Sequence, residues 1–128
     1  MTALLTPKSA LLLSAITIAA IDGELDKNEM AIINRLDGFS LSDEWDLAIA
    51  VWDIKPLDEC IALVAETLDQ KQQRVAMANM VDIAMADGGL DEAENMLLRA
   101  YADAFCVADS EIERIVDVIT IKNDKSLF

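Results

Sequence analysis

Histidine is absent from the 128 residues. That removes the side chain that most often acts as a general base near neutral pH. It also removes the Ser-His and Cys-His nucleophile pairs and any His-ligated zinc site. Cysteine occurs only as Cys60 and Cys106, far apart and matching no metal or redox spacing. Each has apolar neighbours in sequence, so buried free thiols and a reducing compartment are expected. Two prolines and four glycines leave few breaks, and with 54 % apolar residues the chain reads as compact and mostly helical. Bases are scarce too: 10 Lys and Arg face 24 acids, a formal charge of −14. Phosphate binding needs clustered Lys and Arg, so no nucleic-acid partner is expected. Acid excess points instead to cations, basic partners or solubility.

What the chain does contain is one acidic phrase, twice. Asp22-Gly23-Glu24-Leu25-Asp26-Lys27-Asn28-Glu29 returns 65 positions later as Asp87-Gly88-Gly89-Leu90-Asp91-Glu92-Ala93-Glu94. Both fit Asp-Gly-x-Leu-Asp-x-x-Glu, and each follows an apolar stretch, Ile16 to Ile21 or Val81 to Ala86. Repetition at a fixed offset predicts a duplicated unit: one domain over residues 1–128, with half-repeats at about 6–55 and 69–121. Acids concentrate there, eight between Asp22 and Asp46 and ten between Asp82 and Asp117. The apolar run Ala10 to Ile21 has the length of a signal-peptide core but is too short to span a bilayer. It aligns with the matching stretch of the second half, which makes it a structural helix, so export is not expected.

An all-α bundle of six or seven helices with pseudo-two-fold duplication is the predicted fold. Thr6-Pro7 starts a helix to about Ile21 that is apolar nearly all round, hence central. Asp69 to Gln72 is a capping-box spacing that opens its counterpart, running to about Ala86 and carrying Val75, Met77, Ala78, Met80, Val81, Ile83 and Ala84. These two helices are predicted to be the core pair. Amphipathic helices follow each phrase, one with Met30, Ile33 and Leu36 to Phe39 inward, the other with Leu97, Leu98, Tyr101, Ala104 and Phe105. Ser40 or Ser42 starts a helix with the core stripe Trp45, Ile49 and Trp52. Pro56 opens a short helix with Leu57, Ile61 and Leu68 inward. Ser110 and Glu113 form a capping box leading into Ile115, Val116 and Ile119. Fraying is expected after Lys122.

The repeated phrase has two chemical readings. As a helix-turn-helix corner, Gly23 and Gly88 take left-handed conformations, and Leu25 and Leu90 pack down. Asp26 with Glu29 and Asp91 with Glu94 then form capping boxes, each cap contributing about 1 kcal/mol. Asp22 and Asp87 fit this less well, because a negative charge at a helix C-terminus opposes the dipole. Either they close Asx-turns, or a hard cation sits at each corner. Its ligands would then be Asp22, Asp26 and Glu29, and likewise Asp87, Asp91 and Glu94. Oxygen-only ligands suit calcium, magnesium or manganese. The twelve-residue calcium-loop pattern is absent, since Ile33 stands where its final Glu belongs.

The two phrases, with Ala19-Ala20-Ile21 and Ala84-Met85-Ala86 before them, resemble the tellurite-resistance TerB family and the wider TerB-like group. The resemblance covers essentially the whole chain. It implies an all-helical, internally symmetric bundle whose acidic sites bind divalent cations, in bacterial stress responses and in assemblies near the inner membrane. A cytoplasmic protein, peripheral to that membrane and engaging protein partners, is the expectation. A similar domain serves association in a membrane-anchored DnaJ-like co-chaperone, but no J-domain motif is present here. Carried over by position, the candidate ligands are those six acids; Gly89 stands where the first copy has Glu24, leaving the second site fewer oxygens. Three readings stay open: a non-catalytic, cation-binding module, a purely structural association domain, and a carboxylate-based hydrolase.

Overall fold

The computed structural model of the chain describes residues 5–21, 27–36, 43–86 and 88–128, with Asn28 described through its backbone alone. Among the described residues there are seven helices and no strand. They are α1 (Pro7–Ala19), α2 (Lys27–Leu36), α3 (Asp43–Ile54), α4 (Leu57–Thr67), α5 (Gln70–Ala84), α6 (Glu92–Phe105) and α7 (Asp109–Asn123). The fold is therefore all-α.

α1 is the hub, and its sequence explains why. Pro7 opens the helix behind the Thr6 cap, whose hydroxyl accepts from the Ser9 amide at 3.1 Å while the Ser9 hydroxyl accepts from the Thr6 amide at 2.7 Å. With little polar surface on any side, α1 packs against α2, α3, α4, α5 and α6, and ten of its thirteen residues are buried. Its hydroxyls turn back on the backbone: Ser14 donates to the Leu11 carbonyl at 2.6 Å, and Thr17 to that of Ser14 at 2.7 Å. The expected pairing of α1 with α5 is present, but α3 and α4 also lie against α1, so the centre is one helix rather than a pair.

α5 is more amphipathic than expected. Its Asp69–Gln72 capping box forms, and Ala76, Met77, Met80, Val81, Ile83 and Ala84 are buried. Val75, by contrast, is 54 % exposed, because the side away from α1 turns to solvent between Lys71 and Arg74. A similar rotation appears in α3. Ala48 and Val51 are its buried residues, while Trp45, Ile49 and Trp52 are half-buried and pack on the edge of the core. α3 packs against α1. In α4, Cys60, Val64 and Leu68 face inward at helical spacing, and Leu57 and Ile61 are half-buried. In α6 the inward set includes Ala102 in place of the expected Ala104, which is exposed.

α6 ends on Cys106, in the left-handed conformation at φ 57°. The Val107 amide reaches back to the Ala102 carbonyl at 2.8 Å and the Cys106 amide to that of Asp103 at 3.2 Å, a Schellman pattern. Cys106 is exposed, which corrects its expected burial: a residue at the reversal of such a turn points outward. Cys60 is buried as expected, and burial pushes its thiol pKa up. The tight turn also sets where α7 begins. Ala108 is its N-cap, without a side-chain cap, and Ser110 falls inside the first turn, so the expected Ser110–Glu113 box does not form. Asp109 there pairs with Arg99 at 2.8 Å. Beyond Lys122 the helix continues to Asn123, and a turn follows in which the Ser126 amide donates to Asp124 at 2.9 Å.

Candidate functional site

Only part of the acidic phrase lies within the described residues. Asp22, Gly23, Glu24, Leu25 and Asp26 fall outside them, as do Asp87 and the expected features at Phe39, Ser40 and Ser42. Glu29, Gly88, Leu90, Asp91 and Glu94 are described, so the second corner can be followed nearly throughout.

That corner starts where α5 stops. The Met85 amide donates to the Val81 carbonyl at 3.0 Å, and the Gly88 amide to the Met85 carbonyl at 3.2 Å. Met85 is an ordinary cap at φ −96°; the positive φ comes later, at Gly88 with +144°. Gly88 thus bends the chain after the helix rather than terminating it, and φ there disfavours any side chain even though the space is open. Leu90 packs partly into the core, as expected. Asp91 then caps α6: its Oδ1 accepts from the Glu94 amide at 2.7 Å, while Glu94 Oε1 accepts from the Asp91 amide at 3.1 Å. The reciprocal box read from the spacing is formed.

Burial distinguishes the two acids. Asp91 is exposed, but Glu94 is 7 % exposed, and Glu29 in the first turn of α2 is 5 % exposed. Both glutamates stand three residues after the second aspartate of their phrase. A carboxylate is tolerated there because the unpaired amides of a helix N-terminus and the positive end of its dipole stabilise it. α1 ends at Ala19 and α5 at Ala84, two residues earlier than expected in each case. Both leading aspartates therefore stand three positions in sequence past the last helical residue.

An oxygen-only donor set of the kind these acids supply suits a hard cation. Among the described residues, no three acidic, Cys or His side chains are grouped closely enough to hold an ion. Asp91 and Glu94 come together; Asp87, the third member of their set, lies outside the described residues, as do Asp22 and Asp26 beside Glu29.

Two features escaped the sequence reading. One is the buried contact of Tyr101 Oη with Thr17 Oγ1 at 2.7 Å, which ties α6 to α1. Since Thr17 directs its hydrogen to the Ser14 carbonyl, Tyr101 is the donor. A hydroxyl amid an all-apolar helix was the available signal. The other is an apolar groove between α4 and α6, foreshadowed by Ala93, Met96 and Ala100 recurring at helical spacing on the side away from Leu98 and Tyr101.

No helix among the described residues is long and apolar enough to cross a membrane. No curated protein matches the chain, and no solved structure matches it. The family model described as tellurite resistance protein TerB matches residues 54–117, a span that contains α4, α5, α6 and the whole second acidic phrase. With half of its length matched in this way and an all-α fold to go with it, the chain belongs to the TerB family.

Proposed function

We propose that the chain is a non-catalytic, acidic helical module of a bacterial stress-response system of the tellurite-resistance kind. It works by presenting its acidic surface to protein partners and by holding a divalent cation (calcium, magnesium or manganese) at each Asp-Gly corner. The ligands are Asp22, Asp26 and Glu29 at one corner, and Asp87, Asp91 and Glu94 at the other. The observation that carries this reading is the TerB match, because it spans the second corner. The capping box of Asp91 and Glu94 supports it in that both carboxylates are fixed at the N-terminus of α6. Absence of histidine argues against acid–base catalysis, and the free thiols argue for the cytoplasm, with attachment to the inner-membrane surface through partners.

A second reading has its own support. The capping box accounts for both Asp91 and Glu94 without any metal, which favours a purely structural association domain. Isothermal titration of the metal-stripped chain with calcium, magnesium and manganese separates the two. Saturable heat that vanishes in Asp87→Asn and Asp22→Asn supports the cation sites. No heat at millimolar metal leaves the association domain, in which both substitutions are close to neutral for stability. Turnover in a broad phosphatase or esterase screen, abolished by Asp22→Ala, would overturn both in favour of a carboxylate-based hydrolase.

A further inference from the structure

α4 and α6 pack against each other but do not seal the surface along their junction. They leave an open groove of about 290 Å3 lined by Ile21, Leu57, Ile61, Ala93, Met96 and Ala100 among its apolar residues, and no polar side chain lines it among the described residues. Met96 is 67 % exposed and lies on the groove beside half-buried Leu57 and Ile61, so its apolar surface is continuous with theirs. The groove lies at the lower limit of small-molecule pockets, about 300 Å3, and its described lining offers no convergent polar group to orient such a ligand. An open apolar groove between two helices suits the apolar face of a third helix instead.

The charges on the two walls decide which kind of helix. α4 carries Asp58, Glu59 and Glu66 and no base. α6 carries Glu92, Glu94 and Asp103; its one base, Arg99, is engaged by Asp109 at 2.8 Å. By helical periodicity Glu92 and Asp103 share the outward side of α6 with Met96, and both are exposed, as is Asp58 beside Leu57. The trough is therefore apolar within and acidic along its edges. We infer that the α4–α6 groove docks an amphipathic helix of a partner protein, with apolar anchors at i, i+4 and i+7 and Lys or Arg on its flanks. This rests on the reading of the chain as a partner-binding module and is independent of any cation at the corners. The apolar anchors supply affinity, and the basic flanks supply orientation and encounter rate.

The test uses the full chain, in EDTA and again in calcium. The probe is a synthetic helix with leucine at i, i+4 and i+7 and lysine elsewhere; its control has glutamate in place of lysine. Saturable binding of the lysine helix and not the glutamate helix is expected, with binding weakened about tenfold or more by Met96→Glu. Rising salt should weaken it further. Circular dichroism of Met96→Glu should match the parent, since that side chain is already exposed. Binding equal for both helices, or unaffected by Met96→Glu and Ala100→Glu, overturns the groove while leaving partner binding elsewhere on the chain intact. Sedimentation showing a dimer that Met96→Glu dissociates overturns it in favour of a second copy. Binding that persists in EDTA separates this inference from the cation sites; binding seen only with calcium contradicts their independence.

Discussion

Tyr101 and Thr17 show how a single hydroxyl pair enters the stability of an otherwise apolar core. Tyr101 is fully buried, its ring tilted against Phe105 with centroids 5.6 Å apart, and its Oη–H has Thr17 Oγ1 as acceptor. Removing either side is unequal in effect. Tyr101→Phe deletes the donor and leaves Thr17 still bonded to the Ser14 carbonyl, so a loss of about 1 kcal/mol is expected in urea unfolding. Thr17→Val leaves a buried phenol without a partner and should cost more, about 1–3 kcal/mol. The pH dependence follows from the same burial, which raises the Tyr101 pKa well above the ordinary 10.0, only partly offset by the Thr17 hydrogen bond. A raised pKa means that the folded state keeps its proton after the unfolded chain has lost it. The contribution is thus fully present below about pH 10 and fades as pH rises above that value. Because Tyr101 is the sole tyrosine, phenolate absorbance reports it alone. It should appear with unfolding rather than before it, and Tyr101→Phe should lack this part of the alkaline loss.

At the scale of the helix, three of the capping boxes read from spacing can be compared directly. Asp69 and Asp91 receive their amides at 2.8 and 2.7 Å, whereas Ser110 lies within α7 and caps nothing. Asp91→Ala and Asp69→Ala should therefore each cost about 0.5–2 kcal/mol, while Ser110→Ala should be close to neutral or slightly stabilising by thermal unfolding. Cys106 occupies a left-handed position that glycine fits better, so Cys106→Gly should raise stability by up to about 1 kcal/mol despite glycine's greater freedom when unfolded. These contrasts also mark how much of the fold was legible. Starts of helices with a complete local signal, as at Thr6-Pro7, Asp69 and Asp91, were readable because the cap is a contact within four residues. Where α7 starts was not, because the turn after Cys106 sets it. Faces were readable in outline: Leu97, Leu98, Tyr101 and Phe105 point inward as expected, but Ala102 replaces Ala104. On α3 the contact falls on Ala48 and Val51 rather than on the tryptophans. Periodicity specifies a stripe, and the neighbour that packs on it decides where its centre lies.

For the whole molecule, the all-round apolarity of one stretch implied a central helix, and α1 is that helix, with five others packed on it. The surrounding arrangement also leaves α4 and α6 partly open. The spacing of Ala93, Met96 and Ala100 marks one wall of the groove, but the opening itself depends on how two separate segments meet. Of the candidate site, Asp91 and Glu94 were legible as a capping pair and are found as one. Burial of Glu29 and Glu94 was less so, since a charged residue in a first turn is ordinarily solvated. In sequence, eight acids fall between Asp22 and Asp46 and ten between Asp82 and Asp117, so the proposed cations would relieve repulsion as well as bind ligands. The most direct test is thermal unfolding of the metal-stripped chain beside the double variant Asp22→Asn, Asp87→Asn, each with and without millimolar calcium. The cation-holding corner predicts that calcium raises Tm for the parent and leaves the double variant unmoved. Equal shifts in both proteins, or none in the parent, would contradict it.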